Sequence, residues 1–107
     1  MAVITLKTPS GDRYDLTFTR REVAYMTDNG FSINKLENNP LKVLDLFAGA
    51  FLHNHKGTPR ATIEDLWKCI PDKAGFAERL GAMFGEPIAE IFGEPDESKK
   101  VMWEETK

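Results

Sequence analysis

The segment Pro40 to His53, PLKVLDLFAGAFLH, leaves this chain few ways to fold. At helical spacing Leu41, Val43, Leu44, Leu46, Phe47, Ala48, Ala50, Phe51 and Leu52 cover most of the circumference, and Lys42, Asp45, Gly49 and His53 form one narrow polar strip. A helix that is apolar nearly all round has to be buried nearly all round. At ~1.5 Å per residue it is about 21 Å long and falls short of the roughly 20 apolar residues a bilayer needs, so its covering is protein. Asn39 is placed to cap it, and Pro40 suits the first helical position, where its missing N–H is not needed. Glycine within Ala48-Gly49-Ala50 costs about 1 kcal/mol relative to alanine, which predicts a close approach by another backbone, from this chain or a second subunit.

The segments on either side are the first candidates to cover it. In Ala2 to Lys7 and in Arg13 to Phe18 apolar residues alternate with polar or outward ones, and Thr8-Pro9-Ser10-Gly11-Asp12 separates the two runs. That pattern predicts a β-hairpin, which needs a helix to pack on because a lone hairpin is marginal in water. Thr19-Arg20-Arg21-Glu22 fits a capping box, with Phe18 and Val23 placed as a hydrophobic staple, and predicts a helix from about Arg20 to Asn29. Gly30 and Phe31, the latter able to fold back on Met26, complete a helix C-terminal cap. Ser32 to Asn39 reads as loop.

Beyond His53, residues 55 to 59 read as a linker, and Thr62 with Asp65 opens a short helix, Ile63 to Ile70, stopped by Pro71. Asp72 caps a further helix with Phe76, Ala77, Leu80, Met83 and Phe84 on one face. Gly85-Glu86-Pro87 is expected to break it before Ile88, Ile91 and Phe92 add another turn or two. The fold expected is α+β: an N-terminal β-hairpin packed on a small bundle of four to five helices, with one globular domain over 1–93 and an acidic C-terminal tail over 94–107. In that tail only Val101, Met102 and Trp103 look able to dock.

With 107 residues one core is possible with little to spare. The start, MAVITLKT, lacks the features of a signal peptide, and a single cysteine, Cys69, suits a reducing cytoplasm. Residues 1 to 85 carry 11 Lys and Arg against 10 Asp and Glu, whereas residues 86 to 107 carry 3 against 7. No basic run announces a phosphate-binding face, so a nucleic-acid partner is not expected, although folding could gather Arg20, Arg21, Lys56 and Arg60.

No catalytic signature is present. His53-Asn54-His55 offers two imidazoles where a tight metal site wants three or four ligands, and histidines just past a helix end interact favourably with its carbonyls. Cys69 has no neighbouring base and reads as a small buried side chain. Carboxylate pairs such as Glu64 and Asp65, or Glu86 and Glu90, read as solvated helix faces, and the glycines form no phosphate cradle. No enzyme activity, cofactor, metal or small-molecule substrate is expected. Tryptophans in polar settings are common interface anchors, so Trp67 and Trp103 join Phe47, Gly49, Phe51 and Leu52 as the residues expected to bind a partner.

A hairpin ending in Leu16-Thr17-Phe18-Thr19-Arg20, then Val23, Met26, Gly30-Phe31, Pro40, and Leu46-Phe47-Ala48-Gly49-Ala50-Phe51-Leu52 with His55, resembles small phage and prophage proteins of Gram-positive hosts grouped with the tail assembly chaperones of long-tailed phages. The later Glu86-Pro87-Ile88, Glu94-Pro95 and Val101-Met102-Trp103-Glu104 are similar too, so the resemblance covers almost the whole chain. It implies a non-enzymatic protein in the cytoplasm of the bacterial host that binds the tape measure protein, keeps it soluble during tail assembly and self-associates. Two alternatives stand beside it: a structural tail or head-tail joining subunit retained in the virion, and a small DNA-binding regulator using the four cations named above.

Overall fold

Two short strands open the chain, β1 Ile4–Lys7 and β2 Arg13–Leu16, paired antiparallel with Ile4 opposite Leu16 and Leu6 opposite Tyr14. The period-2 pattern puts Ile4, Leu6, Tyr14 and Leu16 on the inward face, and Leu16 is fully buried. On the outward face the Thr5 hydroxyl donates to Asp15 across the pair at 2.9 Å. Both strands stop short of the alternating runs because Thr17 turns away: its amide donates to the Ala50 carbonyl (3.2 Å) and its hydroxyl to the Ala2 carbonyl (2.6 Å). The computed structural model describes residues 2–33, 41–94 and 96–105.

Helix α1, Arg20–Asp28, starts where the capping box predicts: Glu22 accepts from the Thr19 amide at 2.9 Å and from its hydroxyl at 2.6 Å. It ends at Gly30, whose φ of 89° carries a Schellman turn, with Phe31 N–H on the Met26 carbonyl and Gly30 N–H on that of Thr27.

Helix α2, Lys42–Gly49, is the buried central helix, but it has eight residues rather than the fourteen expected. Asn39 and Pro40 lie outside the described residues. At its C-terminus Phe51 and Leu52 donate to Ala48 and Gly49, three residues back, so the chain winds on as tight turns. The long-range bond from Thr17 occupies the Ala50 carbonyl and marks the stop. The close approach at Gly49 is by a side chain and not by a backbone, which corrects the expectation: a Cβ there would meet the flexible thioether end of Met26 on α1. Gly49→Ala is expected to change stability by less than about 1 kcal/mol, since the flexible end of Met26 can swing aside at small cost and the better helix former returns about 1. A urea midpoint that moves little, with an unchanged slope, would register it.

Helix α3, Arg60–Lys68, begins three residues before the expected start at Ile63, because the Pro59 carbonyl accepts Ile63 N–H and closes the first turn. It also ends before Ile70. Helix α4, Lys73–Ala89, is capped by Asp72 through Gly75 N–H at 3.3 Å, as its sequence predicts, and runs straight past the expected break at Gly85 to Pro87. Pro87 lies inside the last turn of α4, where it cannot donate to the Met83 carbonyl, yet the helix continues through it with the ring buried. A 3-10 turn, Glu90–Phe92, extends this end.

The architecture is therefore α+β, a two-stranded hairpin followed by four α-helices, with α4 lying on α1 and α2 and α3 on α2. Phe47 sits at the centre of one aromatic group, with Phe51, Trp67 and Phe76 at centroid distances of 5.1, 5.2 and 5.6 Å. Phe84 joins Phe18 and Phe31 in a second, at 5.3 and 5.2 Å. These groups wrap the inner face of α2 with the chain's own residues.

Candidate functional site

The residues expected to meet a partner separate into three environments. Phe47 and Phe51 are 0% and 1% exposed and Gly49 is buried, so these three are core and offer no surface, a correction to the expected interface. Trp67 is half-buried, its ring tilted on Phe47 and edge-on to Phe76, and serves the same core. Leu52 is half-buried in the wall of a surface groove, and Trp103 is 84% exposed.

His53-Asn54-His55 has a structural use. The Asp15 amide donates to His55 Nε2 at 2.9 Å, Asn54 Nδ2 donates to the Asp15 carbonyl at 3.1 Å, and Thr17 N–H reaches Ala50. Together they satisfy the outer edge of β2 with side chains and turn carbonyls where a third strand would otherwise pair. His53 points elsewhere, with Nδ1 3.4 Å from Glu22. Cys69 is exposed at the end of α3 and not buried as expected, because α3 ends before carrying it inward. Among the described residues no three His, Cys, Asp or Glu side chains converge.

Glu22 is 5% exposed at the floor of a groove of about 420 Å³ formed by Arg21, Glu22 and Tyr25 of α1 with Leu52, His53 and Lys56 from the turns after α2. Burial alone would push its carboxyl up, but the Thr19 hydroxyl, the Thr19 amide and the His53 imidazole more than offset this and hold it below its ordinary value of 4.5. Arg21 and Lys56 stand on the rim with no ion-pair partner among the described residues. The other two cations lie apart: Arg20 beside Glu86 and Glu90, and Arg60 3.0 Å from Asp45 and 3.4 Å from Glu64. The four basic residues therefore form no continuous patch.

Besides Val3, Tyr25 and Leu41, the exposed large apolar residues among those described lie towards the C-terminus. Ile88 is 43% exposed, Ile91 60% and Phe92 90%, and every described residue from 88 to 105 is exposed. The radius of gyration, 16.6 Å, exceeds the roughly 13 Å of a compact chain this long, as a projecting segment requires. Ile88, Ile91 and Phe92 were legible as an i, i+3, i+4 apolar stripe, but the sequence does not reveal that, among the described residues, it is left uncovered. Among the described residues no helix is long and apolar enough to cross a membrane.

No curated protein and no solved structure matches this chain. A family model does match, over residues 1–106, and the chain belongs to that family, described as a domain of unknown function, DUF5055.

Proposed function

We propose that this protein is a non-enzymatic tail assembly chaperone of a phage or prophage, acting in the cytoplasm of the bacterial host by holding the tape measure protein soluble through reversible apolar contact. The observation that carries this reading is the stripe Ile88, Ile91 and Phe92, exposed at the end of α4 in a chain whose core is otherwise filled. Isolated exposed apolar residues are ordinary, whereas three within five residues, at the end of α4 and on the 3-10 turn that extends it, continued by a projecting segment, have the form of a docking face for an amphipathic helix. The surrounding acidic residues, Glu86, Glu90 and Glu94, keep such a face soluble while it is unoccupied.

Co-expression with the tape measure protein encoded beside it is expected to move that protein into the soluble fraction. Phe92→Asp is expected to abolish the rescue while leaving the chaperone's own stability within about 0.5 kcal/mol, because the side chain is on the surface. Rescue that is absent with the wild type, or unaffected by Phe92→Asp, would remove this reading. Recovery of the protein in purified virions would replace it with a structural tail subunit.

A further inference from the structure

The projecting segment and the groove complement each other in both charge and polarity. Val101, Met102 and Trp103 are 83%, 82% and 84% exposed, and Glu104 and Glu105 follow directly. From 94 to 105 the chain carries five carboxylates against two lysines, one of which, Lys100, sits 3.9 Å from Glu97. The groove beside α1 has the opposite character: Tyr25, 59% exposed, and Leu52 supply apolar walls, while Arg21 and Lys56 supply unpaired positive charge on its rim. Glu22 on its floor keeps its negative charge, hydrogen-bonded by Thr19 and beside His53, and the two rim cations outnumber it.

We infer that residues Val101–Glu105 of one copy dock in the Tyr25–Leu52 groove of a second copy, with Trp103 seated between Tyr25 and Leu52 and Glu104 and Glu105 facing Arg21 and Lys56. A second copy is the occupant because the segment stands clear of its own domain, and because every molecule then presents one groove and one acidic, aromatic plug. A groove of about 420 Å³ is within the range that holds one large side chain and its flanking backbone. Reciprocal exchange of segments closes a dimer, whereas one-way exchange leaves a groove and a plug free at each end and extends to a ring or filament. Five residues bury far less than the roughly 1,200–2,000 Å² of a stable interface, so the contact is weak, reversible and dependent on concentration. Opposed charges on an exposed rim also make it weaken with salt.

Sedimentation velocity of the full chain, from micromolar to millimolar and at low and high salt, tests this. The average mass is expected to rise with concentration to a dimer or beyond, and to fall when salt is added. Trp103→Ala and Lys56→Glu are each expected to weaken association about tenfold or more, with the fold intact because both positions are exposed. Glu104→Lys added to Lys56→Glu is expected to restore part of the loss. A wild type that stays monomeric throughout overturns the inference, as does association that neither single variant weakens. So does blue-shifted Trp103 emission that is independent of concentration, since the segment would then occupy its own groove. The two readings fail separately: the stripe on α4 is read by partner solubility, and the segment by mass alone.

Discussion

Phe47→Ala is expected to cost about 3–5 kcal/mol, a large share of the stability of a domain whose total lies in the range of roughly 5–15. The side chain is 0% exposed and is the one ring that touches Phe51, Trp67 and Phe76 together. Its loss removes the transfer free energy of a phenyl group and leaves a cavity that rings anchored on α3, on α4 and beyond α2 cannot all collapse into. Urea denaturation followed by tryptophan fluorescence would report it directly, because Trp67 lies at the centre of the change. Phe92→Ala is the matched control, and at 90% exposure it is expected to shift the midpoint negligibly. Equal losses at the two positions would contradict the packing described here.

The contrast between these phenylalanines shows how far the sequence could be read. What depends on neighbours along the chain was legible: the hairpin, the Thr19–Glu22 cap, the Schellman turn at Gly30 and the Asp72 cap all follow from short-range chemistry. What depends on distant partners was not. Past Gly49 the chain tightens into 3-10-type turns, and the Ala50 carbonyl there accepts from Thr17, more than thirty residues earlier. The neighbour that approaches Gly49 is a methionine side chain on α1, and α4 runs through Pro87 where the local signals predict a break.

The same limit explains why Phe47, Gly49 and Phe51, expected at an interface, are buried. An all-round apolar helix says that it must be covered but not by what, and here the hairpin and the other helices suffice for its inner face. Exposed apolar area appears instead at Ile91 and Phe92, at the end of what was read as the globular domain, and at Trp103 in the acidic tail. Segment composition and helix periodicity each describe one element, whereas exposure is a property of the whole arrangement of elements.

Glu22→Gln is expected to destabilise the fold by about 1–3 kcal/mol at neutral pH, and the size of that loss is expected to depend on pH. The carboxylate is 5% exposed, accepts from the Thr19 amide and hydroxyl at 2.9 and 2.6 Å, and has His53 Nδ1 at 3.4 Å. A glutamine keeps the size and one acceptor but loses the charge, so the charge-assisted part of each bond disappears and its amide hydrogens meet donors. Because folding lowers the carboxyl below its ordinary 4.5, the ionised form is favoured in the native state. The stabilisation is therefore complete above about 4.5 and is lost as pH falls through the lower native value. Urea titrations of both proteins across that window should show curves separated by a constant gap from neutral pH down to about 5 and converging below it. A gap that stays constant to the lowest pH, or widens there, would mean that the Glu22 charge contributes nothing and that the start of α1 is held by shape alone.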